Sequence, residues 1–162
     1  RGENVSMVNN MNTLVIRTNI YGFHIPHGNS LAEWALNNLM KEKRIGGFTD
    51  IFFNPMYTKQ LARVVKIITE SDYAIKGILN VGSEKRISKY IFLTKLAKIF
   101  KKRIRNIDPI CADSVLHNAK RPKDTFLNVH KLQKIVEKLP DLDDGLKELR
   151  KDYENLMRTV NS

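Results

Sequence analysis

Arg17, Thr18 and Asn19 close an apolar run, LVIRTNIYG at positions 14–22, while Arg121, Pro122 and Asp124 share the segment AKRPKDTFLNV. A buried strand that ends in polar residues and then turns at Tyr21 and Gly22 delivers hydrogen-bonding groups to a site. In the second segment the guanidinium of Arg121 offers a planar fork of donors that fits a phosphate bidentately, and the proline after it stiffens the backbone. Asp124, three residues on, is placed to orient that guanidinium; a surface salt bridge is the competing role for the same residues.

Other chemistries lack their residues. The eight glycines (2, 22, 28, 46, 47, 77, 82 and 145) contain neither GxGxxG nor GxxxxGK[ST], so neither a dinucleotide cradle nor a phosphate loop is encoded. A tyrosine acidified by a lysine four residues on would suit ketone reduction. The residues four beyond the five tyrosines are Ile25, Leu61, Gly77, Thr94 and Met157, so no YxxxK pair exists. His24 and His27 lie either side of Pro26 without a third ligand and read as loop surface, as do the isolated His117 and His130. Cys111 is the single cysteine, with neither a disulfide partner nor an identifiable base, and reads as a buried or incidental thiol in a reducing, cytoplasmic setting.

The elements that must position these residues follow from periodicity and caps. A helix end is expected over 1–10 and a strand over Thr13–Thr18. Ser30, with Glu33 in the capping-box position, starts a helix over Leu31–Lys43. A strand is expected over Phe48–Phe53, ended by Pro55. Thr58 is the expected cap of TKQLARVVKIITES, whose Leu61, Val64, Val65 and Ile68 form an apolar face. GILNV (77–81) reads as a strand, and Ser88 caps a helix burying Phe92, Leu96, Ile99 and Phe100. An irregular stretch is expected through Pro109 and Pro122, then a short helix from Thr125 or Asn128 to about Lys138. The stripe Leu142, Leu146, Leu149, Tyr153, Leu156, Val160 reads as a helix docked on the core. Short strands alternating with helices give an α/β chain in which helix outweighs strand.

At 162 residues the chain suits one domain with a real core. It opens on Arg1 with no leader pattern, which reads as an excised piece or a processed product. No apolar run approaches the ~18 residues needed to cross a bilayer. The formal charge of +11 (28 Lys and Arg against 17 Asp and Glu) favours anionic partners. Much of the excess lies in Lys85–Arg105, which reads first as the solvated face of an amphipathic helix.

Taken in order, LVIRTNIYG, FTDIFFNPMYTKQLARVV, GILNVGSEKRISKYIFLTKLAKIF and KRPKDTFLNVHKLQKI resemble the C-terminal half of extended short-chain dehydrogenase/reductases. Within that superfamily they are most similar to the dTDP-4-dehydrorhamnose reductase group, from about Arg1 to about Leu149. The resemblance implies a Rossmann-like α/β fold whose sixth strand is LVIRTNIYG. It implies that Asn19 faces a nucleotide-sugar substrate, with Arg17 and Thr18 at the strand end. Asn54, Pro55 and Tyr57 would lie near the substrate at the pocket floor, and Arg121 would meet its diphosphate. It also implies NAD or NADP as the parent's cofactor, with GxxGxxG and YxxxK upstream, because RGENV resembles the residues directly after the catalytic lysine.

The resemblance therefore implies that residues 1–162 are the substrate-binding portion of a nucleotide-sugar reductase or epimerase, without the dinucleotide-binding portion and expected to be inactive alone. Met56 and the GFHIPHGN loop depart from the family pattern. A non-catalytic binding or regulatory module of the same fold is the alternative, with the Leu142–Val160 stripe as its partner surface. Nucleic-acid binding through Lys85–Arg105 is disfavoured, because Phe92 and Phe100 fit the core rather than an exposed stacking platform. Half of a sheet would expose an edge, so self-association is expected.

Overall fold

Ser30 shows how closely local chemistry dictates the elements. Its hydroxyl accepts from the Glu33 backbone N–H while the Glu33 carboxylate accepts from the Ser30 N–H, closing the capping box that starts α2 (Leu31–Met40). The computed structural model describes residues 2–24, 28–71, 75–114 and 122–160. Before α2 come α1 (Gly2–Asn9), β1 (Leu14–Thr18) and β2 (Ile20–Tyr21). After it follow β3 (Ile45–Phe48), β4 (Phe52–Phe53), β5 (Met56–Tyr57), α3 (Thr58–Glu70), β6 (Gly77–Val81) and β7 (Ile87–Ser88). The chain continues through α4 (Lys89–Ile99), a 3₁₀ turn at Ile104–Asn106, β8 (Ile107–Ile110), α5 (His130–Gln133) and α6 (Leu142–Val160).

The strands pair two by two. β1 with β6, β2 with β5 and β3 with β8 are parallel, and β4 with β7 is antiparallel. Parallel neighbours so far apart in sequence require crossovers, and the helices supply them. One cluster of buried residues joins α2, α4 and α6 through Leu36, Leu39, Phe92, Leu96, Leu146 and Leu149. A second joins α3, β6 and α5 through Val64, Ile68, Leu79, Val81 and Leu132. Burying a side chain such as Phe92, which exposes none of its surface, is worth about 1.5–3 kcal/mol. The expected stripe of α6 docks as a core face over Leu142, Leu146 and Leu149, with Tyr153 packed partly against it, but Leu156 is exposed; the Val160 side chain lies outside the described residues.

Several boundaries differ from expectation, and α2 ends at Met40 rather than Lys43. The strand expected over Phe48–Phe53 is two pieces, β3 and β4, separated by the bend at Thr49–Asp50. β3 contains Gly46 and Gly47 because α4 packs against it: a Cβ on Gly47 would lie 3.0 Å from the Tyr90 Cα. The cap of α3 is Tyr57, not Thr58; the Gln60 side chain reaches back to accept from the Tyr57 N–H at 3.0 Å, and Thr58 is already helical. Pro109 sits inside β8 opposite Gly47, which is tolerated because β8 pairs only with β3 among the described residues and leaves the other edge for the proline. The helix expected from Thr125 or Asn128 is the short α5 beginning at His130, where the Asn128 side chain accepts from the His130 N–H.

α2 and α4 end alike. Glu42 and Lys101, just past each C-terminus, take left-handed backbone conformations with φ of 54° and 53°. At the other end of the chain, α1 buries none of its residues and leaves Val5 and Val8 exposed.

Candidate functional site

The strand ends carry the predicted polar residues to one place. Asn54 is fully buried, and its amide N–H groups donate to the Ser83 and Leu127 carbonyls at 3.0 and 2.9 Å. Its Oδ1 accepts from the Leu127 N–H at 3.0 Å and from Asn19 Nδ2 at 3.3 Å. All four hydrogen-bonding positions of the side chain are therefore used. Asn19 also donates to the Thr125 carbonyl at 2.8 Å, and its own carbonyl accepts from the Met56 N–H at 3.0 Å. This pair ties the ends of β1, β4 and β6 to the segment 125–127. Gly82 admits that approach, since a Cβ there would fall 2.7 Å from Asn54 Nδ2.

Around this hub three buried polar atoms have no partner among the described residues: Thr18 Oγ1, Asn80 Oδ1 and Ser83 Oγ. Thr18 and Asn80 sit at the C-terminal ends of the parallel pair β1–β6, and Ser83 follows directly after it. Ligands of parallel α/β sheets bind outside those ends.

The other predicted residues are spread more widely. Arg17 is exposed and forked onto Glu3 of α1, at 2.8 and 2.5 Å. Pro55 is fully buried beside Asn54. Tyr57 is buried, and its hydroxyl donates to Asp152 Oδ2 on α6 at 2.5 Å, while Lys59 Nζ holds Oδ1 at 2.6 Å. Burial, followed by the hydrogen bond to Asp152, raises the Tyr57 phenol well above its ordinary range, so it stays protonated. Asp124 meets Arg86, at 2.9 Å from Nε, and also accepts from the Phe126 N–H at 3.0 Å. Arg121, with His27 and His117, lies outside the described residues.

A cleft of about 400 Å³ opens between α2, β3 and the start of α4, and none of Arg17, Thr18, Asn19, Asn54, Pro55, Tyr57 or Asp124 is among its lining residues. Leu31, Trp34, Phe48, Ile51 and Leu93 wall it, Pro122 closes one side, and Lys89 is its one charged residue among the described residues. The size and the apolar walls, with a single ionic group among the described residues, are those of a small-molecule site. The Lys89 ammonium lies 3.4 Å from the centroid of the Phe53 ring. Burial lowers its pKa to about 8.

Lys89 escaped the sequence reading because a lysine in a basic segment looks solvated. Phe53, which covers it, is remote in sequence, so no local pattern marked the pair. Two further clusters resolve as scaffolding. His24 Nδ1 lies 2.7 Å from Glu33, and Asp50, Cys111 and Asp113 gather around Lys123, whose ammonium is 3.0 Å from Asp50 and 2.7 Å from Asp113. Cys111 is exposed, not buried, and its thiol donates to Asp50 at 3.1 Å.

The sequence model of the RmlD substrate binding domain matches residues 1–155. The chain belongs to this family. No curated protein matches this chain in sequence, whereas solved structures match its fold. A dTDP-4-dehydrorhamnose reductase ortholog from Clostridium acetobutylicum is 24% identical with a TM-score of 0.80, over 94% of this chain and 53% of that one. The Bacillus anthracis dTDP-4-dehydrorhamnose reductase, solved with NADP, is 18% identical with a TM-score of 0.71, over 86% and 48%. UDP-glucuronic acid 4-epimerase from Bacillus cereus, solved with UDP-glucuronic acid and NAD, is 19% identical with a TM-score of 0.70, over 95% and 49%. The chain thus has the α/β fold of the Rossmann-like nucleotide-sugar reductases and epimerases, and spans about half the length of the structures it matches. No helix among its described residues is long and apolar enough to cross a membrane.

Proposed function

We propose that residues 1–162 are the substrate-binding portion of an NAD(P)-dependent nucleotide-sugar reductase or epimerase of the dTDP-4-keto-6-deoxy-sugar type. The observation that carries this reading is the apolar cleft of about 400 Å³ with Lys89 in its wall, in a chain that the substrate-binding family matches over residues 1–155. In this reading Trp34 and Phe48 offer flat apolar faces to a base. The family resemblance assigns the sugar to Thr18 and Asn19, with Asn54 and Pro55 beside them, at the C-terminal end of β1 and outside the lining of the cleft. Arg17, Tyr57 and Asp124 hold the rim in shape through Glu3, Asp152 and Arg86, and Arg121 meets the diphosphate. Fixing the sugar in this way supplies orientation, which accounts for much of the rate in a bimolecular transfer.

The cofactor of such an enzyme is NAD or NADP, which supplies hydride chemistry when bound. The described residues do not fit it. Gly46 and Gly47 lie inside β3 rather than in a strand-to-helix turn, Gly82 abuts Asn54, and no Tyr–Lys pair is encoded. No hydride or proton step is therefore assigned to this chain, whose own residues bind and orient.

Calorimetric titration with dTDP-glucose, dTDP and UDP tests the reading, with saturable binding of at least one as the expected result. Indifference to all three would sink it in favour of a non-catalytic partner-binding module. Steady turnover by this chain alone, with nicotinamide cofactor and a dTDP-4-keto sugar, would remove the claim that it is only a substrate-binding portion.

A further inference from the structure

We propose that Lys89 is a phosphate-contacting residue of the cleft, holding the diphosphate of a nucleoside diphosphate whose base lies against Trp34 and Phe48. This rests on the nucleotide-sugar reading above and assigns it a residue that neither motif nor resemblance marked.

The cations of the neighbouring segments differ in their partners. Arg86 is neutralised by Asp124 at 2.8 Å, Lys95 by Asp143 at 2.7 Å, and Lys123 by Asp50 and Asp113. Lys89 alone of this group has no carboxylate and no hydrogen-bond acceptor on its ammonium among the described residues; its contact is the face of Phe53. A ring face offsets part of the lost hydration of an ammonium but leaves its three N–H donors unused. The burial that pulls the amine down to about pKa 8 has the same origin: the charge is partly dehydrated and not compensated within the chain.

The position of Lys89 points the same way. The Lys89 backbone is fixed, its N–H donating to the Ile51 carbonyl at 2.9 Å and the preceding Ser88 capping α4. The lysine therefore enters the cleft from a rigid base beside apolar walls. A ligand with both a flat apolar part and a dianionic part satisfies walls and cation together, and a nucleoside diphosphate is that class. A purely apolar ligand would leave the ammonium uncompensated, and a small inorganic anion would leave Trp34 and Phe48 uncovered.

The test is calorimetry on the full chain with dTDP, UDP, thymidine and inorganic pyrophosphate, for the parent, Lys89→Met and Lys89→Arg. Lys89→Met should weaken the nucleoside diphosphate that binds by tenfold or more while changing thymidine affinity less than twofold; Lys89→Arg should stay within about threefold of the parent. Nucleoside diphosphate affinity within twofold of the parent in Lys89→Met overturns the role of Lys89 and leaves the nucleotide-sugar reading standing. Binding of neither dTDP nor UDP by the parent removes the nucleotide-sugar reading, and the diphosphate role of Lys89 with it. The Lys89 ammonium resonance, followed by NMR during pyrophosphate addition, supplies a readout that needs no base: a shift that saturates supports the anion contact, and no shift overturns it. Thermal unfolding guards against misfolding, because Lys89→Met, freed of a dehydrated charge, should melt no lower than the parent.

Discussion

Asn54 and Lys89 lie on adjoining segments and treat polarity in opposite ways. Asn54 is wholly enclosed, and each of its donors and acceptors has a protein partner. Lys89 is half-enclosed, and among the described residues its ammonium meets only a ring face. A saturated polar group of this kind ties segments together, since breaking it strands several buried partners at once. An unsaturated charge at a cleft wall adds nothing to the fold and is available to a ligand. Polar residues near a site thus divide into those that build it and those that face its contents.

The sharpest way to break this contrast is Asn54→Ala. One buried and three partly buried hydrogen bonds would be lost, with only Asn19 keeping another partner in the Thr125 carbonyl, so the variant should be destabilised by about 3 kcal/mol in urea-induced unfolding. A loss below about 1 kcal/mol would show that the hub is not what joins the strand ends.

Glu33 supplies the next effect. Its burial alone would raise the carboxyl, but hydrogen bonds from His24 and Ser30 outweigh that and hold its pKa at about 2. A carboxylate depressed on folding contributes stability above its unfolded value, near 4.5, that is lost as pH falls toward about 2. The melting temperature should drop through that window, and Glu33→Ala should remove Glu33's share of that fall at a cost of about 1–2 kcal/mol at neutral pH.

Lys89→Met should move stability by no more than about 1 kcal/mol, upward, which separates it from Asn54→Ala in the same denaturation series. Smallest of all should be Asp124→Asn. The Arg86–Asp124 side chains are 44% and 49% exposed, and the melting point should stay within experimental error of the parent. A large drop there would mean that this pair, rather than the Asn54 hub, anchors the segment after Pro122.

What the sequence reveals divides along the same line. α2, α4, β1 and β6 are legible because their signals are local: Ser30 with Glu33, Ser88 before an apolar face, and short β-branched runs. β3 and β8 are not, because IGGF and IDPI carry poor strand formers whose presence makes sense only once Tyr90 approaches Gly47 and β8 becomes an edge. The family resemblance singles out Asn19 and Asn54 as residues near a substrate, but their hydrogen bond to each other is anticipated by neither residue type nor resemblance. Lys89 is legible by neither route, since its environment is built by Phe53, Trp34 and Phe48 from three separate elements.

The left-handed residues Glu42 and Lys101 offer a handle on durability. Each keeps a side chain where glycine would sit without the steric penalty of roughly 1 kcal/mol that left-handed backbone imposes on other residues. Neither lines the cleft. A doubly glycine-substituted chain should therefore survive several degrees more heating with its ligand chemistry untouched, giving a sturdier starting material for the binding work.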